Sequence, residues 1–170
     1  RHPPLPLTRG LATNPLLARQ LCPTGPPPCS TDLAMPPLAA IIMRSKNEMP
    51  HVRAALDILH RQTTQDFEFF AIDSGSTDGS LDLLREYCDA DHLTEIPPED
   101  YEPGKVLNNA MARIDHPIIA LLNADAIPQS DDWLEKLIRP ILEQTADATF
   151  SRQVARPDAH FIVAHDYQRA

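Results

Sequence analysis

Between Leu38 and Ile138 the sequence alternates short apolar runs with amphipathic segments at helical spacing, and this alternation leaves few folds open. Leu38-Ala39-Ala40-Ile41-Ile42-Met43 is a continuous apolar run, the pattern of a strand covered on both faces. Phe67 to Ile72 and Ile118 to Leu122 repeat that pattern, and His92 to Ile96 carries a weaker version of it. Between the runs, Val52, Ala55, Leu56 and Leu59 recur at helical spacing, as do Leu81, Leu84 and Cys88. Leu107, Ala110, Met111 and Ile114 predict a helix over 104–115, ended by Pro117. Asn47 is the expected cap of the first helix, and Ser130 that of a helix through Trp133, Leu134, Leu137 and Ile138, which Pro140 ends or kinks. Ala148-Thr149-Phe150-Ser151 is read as one more strand. Strand, helix, strand, helix in succession means parallel strands joined by right-handed crossovers. The expected class is therefore α/β, a doubly wound, mainly parallel sheet with helices on both faces.

Proline marks a boundary at the amino-terminal side. Ten of the 18 prolines precede Leu38, in a stretch without periodicity. Residues 1–37 are expected to be an extended or disordered leader, because proline removes backbone donors and fixes φ. Leu16-Leu17 is too short for the apolar core of a signal peptide. The leader holds three arginines and one acid, which leaves −11 on the remainder of a chain whose net charge is −9. An acidic body of this kind speaks against a nucleic-acid binder, which shows a basic stripe. It is compatible with a diphosphate bridged by a metal, since the cation then supplies the local positive charge. No run approaches the ~20 apolar residues of a membrane span. The three cysteines, Cys22, Cys29 and Cys88, form neither a CxxC pair nor an even set. A reducing, cytoplasmic setting is expected.

In a doubly wound sheet, ligands bind beyond the carboxyl ends of the strands. The segments to read are therefore 44–48, 73–78 and 123–125. After the second strand comes Asp73-Ser74-Gly75-Ser76-Thr77-Asp78-Gly79-Ser80. It is either a tight loop with a helix cap or a site where Asp73 enters the crevice and accepts the N3–H of a uracil or thymine ring. After the third strong strand comes Asn123-Ala124-Asp125-Ala126-Ile127-Pro128. Asp125 either opens a turn or ligates Mg2+ or Mn2+ together with diphosphate oxygens and water. Asn123, two residues earlier on the same face, is read as orienting a water or a sugar or ribose hydroxyl. Gly104-Lys105 at a helix start places a cation near amides that favour anions, though no P-loop pattern and no GxGxxG is present.

The order and spacing of Ala40-Ile41-Ile42-Met43-Arg44-Ser45-Lys46-Asn47-Glu48, Ile72 to Ser80, Gly104-Lys105-Val106-Leu107-Asn108 and Asn123-Ala124-Asp125 resemble a family 2 glycosyltransferase of the GT-A fold. The resemblance covers about residues 38–156, with 157–170 as a tail leading toward an acceptor-binding segment not found in this sequence. Asp125 to Pro128, Trp133-Leu134 and Ser151-Arg152-Gln153-Val154 are similar to the bacterial rhamnosyltransferase-like branch. What this implies is an inverting, metal-dependent transferase. It moves a sugar from a UDP- or dTDP-sugar to a glycan or lipid-linked acceptor in cell-surface polysaccharide synthesis, in the cytoplasm or at the inner face of the membrane. Ser45 and Glu48 would line the nucleotide pocket, with Asp73 on the base and Lys105 and Asn108 near the nucleotide or donor sugar. Asp125 would be the metal-binding acid of a DxD-type site whose first position is Asn123. The catalytic base has no matching motif; Asp158 and Asp166 are acids near the end without one. The competing expectations are a module that binds a nucleotide sugar without turnover, and a nucleotidyltransferase. The second lacks its usual glycine-rich loop, because Arg44 to Glu48 contains no glycine.

Overall fold

The computed structural model describes residues 37–157, 159, 160 and 165. All but the last residue of the expected leader lies outside them, as do Cys22, Cys29, Asp158 and Asp166. The elements run β1 (Ala39–Ser45), α1 (His51–His60), β2 (Phe67–Asp73), α2 (Ser80–Tyr87), β3 (Leu93–Glu95), α3 (Pro103–Met111), β4 (Ile118–Asn123) and α4 (Trp133–Leu142). The sheet order is β3-β2-β1-β4 and every pairing is parallel. β1 is central, which is why its first five residues are all completely buried and why it reads as an unbroken apolar run.

The side-chain alternation of the strands sorts the helices onto two faces. Ile41, Met43, Phe69, Ala71, Ala120 and Leu122 share one cluster with Val52, Leu56 and Leu59 of α1, Leu84 of α2, and Leu134 and Ile138 of α4. Ile42, Phe70, Ile72 and Ile119 point the other way, onto Val106, Leu107, Ala110 and Met111 of α3. Burying each large aliphatic side chain contributes about 1.5–3 kcal/mol. The doubly wound arrangement follows from that two-sided apolar content.

Four expectations are corrected. Asn47 does not cap α1: its φ is 54°, Pro50 occupies the cap position, and the Asn47 Oδ1 accepts from the Thr77 N–H instead (2.7 Å). Residues 148–151 form no strand, and α3 stops at Met111, four residues short of 115. Pro140 lies inside α4 and does not end it, since the helix runs on to Leu142. The His116 side chain is only 6% exposed, and its Nε2 lies 2.9 Å from Glu68, which His92 also contacts at 2.9 Å.

Candidate functional site

The parallel register brings three strand ends to one rim. Ser45 of β1 is paired with Asp73 of β2, and Arg44 with Asn123 of β4. The ladder continues past the strands, with Ser74 N–H donating to Ser45 O (3.1 Å), Ala124 N–H to Arg44 O (2.9 Å) and Ile96 N–H to Asp73 O (2.8 Å). All the polar segments singled out from the sequence therefore start from the same side of the sheet.

The loop after β2 is closed on itself. Asp73 is 0% exposed, and its Oδ1 accepts the N–H groups of Gly75 (2.9 Å) and Ser76 (2.7 Å) while its Oδ2 accepts the Ser76 hydroxyl (2.6 Å). The same loop then captures the one before α1. The Asn47 N–H donates to Ser76 Oγ (2.8 Å), the Glu48 N–H to Ser80 Oγ (3.0 Å) and the Met49 N–H to Asp78 Oδ2 (2.9 Å). Three successive amides that would otherwise offer donors to a phosphate are thus taken by side chains. Burial opposes the Asp78 charge, but the hydrogen bonds from Ser80 and Met49 prevail and lower its pKa. Gly75 has φ +85°, and a Cβ there would meet Pro98 Cγ at 2.7 Å, so both the backbone conformation and the space require glycine. The Asp73 carboxylate, expected at a pyrimidine base, is enclosed here and holds the loop.

The turn after β4 is open. Ala126 N–H donates to Asn123 O (2.9 Å), closing a tight turn that leaves Asp125 exposed. Only the main-chain oxygen of Asp125 has a partner in the described residues, the Arg156 guanidinium at 3.1 Å. The turn borders a groove of about 1050 Å3 whose walls include Arg44, Asn123, Asp125, Trp133, Arg152 and Arg156. Glu48 is not a wall of that groove, but its carboxyl lies within electrostatic reach of Asp125. Burial first, and the Asp125 charge second, push the Glu48 carboxyl above its ordinary value, against the pull of His51 and Arg156. An acid raised in part by the charge of a neighbouring carboxylate marks a place where a cation would relieve that repulsion.

The remaining expected residues separate. Ser45 belongs to the rim; it is 5% exposed and its hydroxyl has no hydrogen-bond partner among the described residues. Lys105 and Asn108 sit exposed on α3, and the Lys105 ammonium is paired with Glu102 (2.8 Å) rather than reaching the groove walls. Asn123 is at the groove, with its Oδ1 held by Arg44. Arg44, Tyr101 and Arg156 are structural neighbours of the site that sequence reasoning had not assigned. The parity of Arg44 with Ile42, at the end of a buried run, is the signal that would have found the first of them.

A divalent cation fits this donor set in one particular way. Among the described residues no three His, Cys, Asp or Glu side chains converge on a metal position. Asp125 presents an exposed carboxylate with no side-chain partner among those residues, and Mg2+-type sites commonly need only one or two carboxylates when substrate phosphates and water complete the octahedron. The site suits a cation shared with a diphosphate, not a cage made by protein alone.

The profile of Glycosyl transferase family 2 matches residues 40–168. The glycosyltransferase AglE of Haloferax volcanii is 28% identical over 109 residues, covering 62% of this chain and 36% of that protein. The O-antigen chain rhamnosyltransferase WbaN of Salmonella anatum is 26% identical over 106 residues, covering 62% and 33%. Among solved structures, a mannosyltransferase from Pyrobaculum calidifontis in complex with GDP-Man and Mn2+ superposes with a TM-score of 0.50 at 25% identity, over 62% of this chain and 32% of that one. TarS of S. aureus gives 0.52 at 22% identity over 64% and 20%, a likeness of fold. This chain spans about a third of the length of the relatives it matches. No helix among the described residues is long and apolar enough to cross a membrane.

Proposed function

Because this chain belongs to glycosyl transferase family 2, we propose that it is the donor-binding part of a glycosyltransferase, holding a nucleoside-diphosphate sugar and a divalent cation in the groove beside β4. The observation that carries this is the free, exposed carboxylate of Asp125 at the carboxyl end of β4, close enough to Glu48 to raise its pKa. Asp125 would be the side chain that holds the cation, and the diphosphate would bind beside its turn. When bound, the cation supplies Lewis-acid stabilisation of the charge that develops on the leaving diphosphate.

The chain's own groups do the rest. Glu48 adds a second negative charge on the side of β1 and so favours the cation-loaded state. Arg156 holds the Asp125 main-chain oxygen and fixes the turn that aims its side chain. Trp133, half-buried and hydrogen-bonded through Nε1 to Ser151 Oγ (2.8 Å), forms an apolar wall of the groove. The family's direct displacement at the anomeric carbon, with inversion, is the proposed reaction, and a carboxylate base acting on the acceptor hydroxyl is part of it. No residue is assigned to that base.

The donor is proposed as a nucleoside-diphosphate sugar without a preferred base. The pyrimidine preference depended on Asp73, whose carboxylate is occupied within its loop, and the mannosyltransferase neighbour carries GDP-Man with Mn2+. A role in cell-surface polysaccharide, in the manner of the rhamnosyltransferase relative, belongs to the same proposal.

Calorimetric titration with UDP, dTDP and GDP, with and without Mn2+, tests it. Binding of at least one of them should require the metal, and Asp125→Ala should weaken that binding at least about tenfold, or 1.4 kcal/mol. Binding that is indifferent to both metal and substitution would refute the assignment. A donor-hydrolysis assay on the same chain separates a transferase from a module that binds without turnover.

A further inference from the structure

We propose that Arg44 is a positioning residue that fixes the polarity of Asn123, so that the groove meets its ligand there with an amide N–H instead of an oxygen. The inference rests on the assignment of the groove as a donor and cation site. Arg44 and Asn123 are directly paired across β1 and β4, at the last rungs before the rim. The guanidinium donates to Asn123 Oδ1 from Nε at 3.2 Å and also from Nη2, and from Nη1 to the Tyr101 hydroxyl at 3.3 Å.

A guanidinium has five donors and no acceptor, so only the oxygen of the Asn123 amide can face it. The chemistry of the partner therefore settles which way the amide lies, and the Nδ2 group is turned away from Arg44. Both residues line the same groove as Asp125, two positions on. Tyr101 anchors the other side of the fork, and its own packing against the α3-side cluster keeps that anchor in place.

The pairing affects the cation in two ways. The Asn123 side-chain oxygen is held by Arg44, which leaves Asp125 as the side chain of this turn that offers a cation an oxygen with no partner among the described residues. An acid introduced at position 123 would not change this while Arg44 remains, because a carboxylate on the adjacent rung would take the guanidinium as a charge-assisted fork. The role of the pair is to present a donor toward a ligand oxygen and to keep that position from competing for the metal.

The test compares Asn123→Asp with and without Arg44→Met, titrating Mn2+ alone and following free metal by electron paramagnetic resonance. Asn123→Asp by itself should leave Mn2+ affinity within about twofold of the native chain, and the double variant should bind several-fold more tightly, since the new carboxylate is then released. Arg44→Met alone should not weaken Mn2+ binding, and should weaken metal-dependent nucleoside-diphosphate binding several-fold. Arg44→Lys, which keeps the charge and loses the fork, should restore only part of it. Equal tightening by Asn123→Asp in both backgrounds would overturn the proposal.

A metal-free double-mutant cycle on thermal unfolding, with Arg44→Met and Asn123→Ala, reports the pair independently of any ligand. Coupling between the two substitutions is expected, and strict additivity would also overturn it. If coupling is present but Asp125→Ala leaves Mn2+ and nucleotide binding untouched, the functional assignment of the groove has failed and the Arg44–Asn123 pairing has not.

Discussion

The turns after β2 and β4 both place an acid at the carboxyl end of a parallel strand, and they use it in opposite ways. Asp73 is enclosed, with both carboxylate oxygens accepting hydrogen bonds from its own loop. Asp125 is exposed, and only its main-chain oxygen has a partner among the described residues. The difference lies in the neighbours of each acid along the chain. Gly75, Ser76, Asp78 and Ser80 supply donors and acceptors that close around Asp73 and reach the neighbouring loop. Ala124, Ala126 and Ile127 have no side-chain donor to turn back onto Asp125. A polar motif rich in hydrogen-bonding groups builds a scaffold; an acid among apolar neighbours is left for a ligand.

Substitution of the two acids is the most forceful way to break this contrast. Asp73→Ala removes a buried acceptor from three donors, and should destabilise the chain by about 3 kcal/mol, since each donor left unmet inside costs about 1–3 kcal/mol. Asp125→Ala should change stability by less than about 0.5 kcal/mol, as an exposed site with no packing role. Urea unfolding of the two variants measures both. Equal losses would erase the distinction between scaffold and site.

Gly75→Ala sharpens the scaffold half. The added methyl is strained at φ +85° and meets the rigid Pro98 ring, and the combined cost should be about 2 kcal/mol. A variant as stable as the native chain would show that the loop relaxes freely. The smallest effect concerns the open half and is read as pH dependence. Burial and Asp125 raise the Glu48 pKa, so on acidification Glu48 takes up its proton earlier than a free glutamate does. The surroundings of Asp125 lose a negative charge at that point, and Mn2+ affinity should fall with it. Glu48→Gln should remove this step from the affinity profile.

Much of the architecture could be read from residues 38–138, because each strand is a compact apolar run and each helix repeats at its own period. The elements that escaped are those set by contacts distant in sequence. Asn47 resembles a helix cap, but Thr77, 30 residues away, takes its side chain. Residues 148–151 have a strand's composition and join no strand among the described residues; Thr149 and Ser151 bond to α4 instead. At the site, Asp125 was legible as an acid just past an apolar run. Asp73 stood in an equally suggestive position, and its place at a strand end does not distinguish the two. Only the closure of the surrounding loop, set by hydroxyls and by Gly75, decides which acid remains free. Arg44 was hidden for a related reason, since its partner Asn123 lies 79 residues away on the neighbouring strand.

An anomalous difference map from crystals grown with Mn2+ and a nucleoside diphosphate would decide between the two acids at a stroke. A manganese peak is expected at ligand distance, about 2.1 Å, from the Asp125 carboxylate, with diphosphate oxygens on its other side and none from Asp73. A nucleotide bound with no metal at Asp125, or with the metal held at another carboxylate, would contradict the division of labour between scaffold and site.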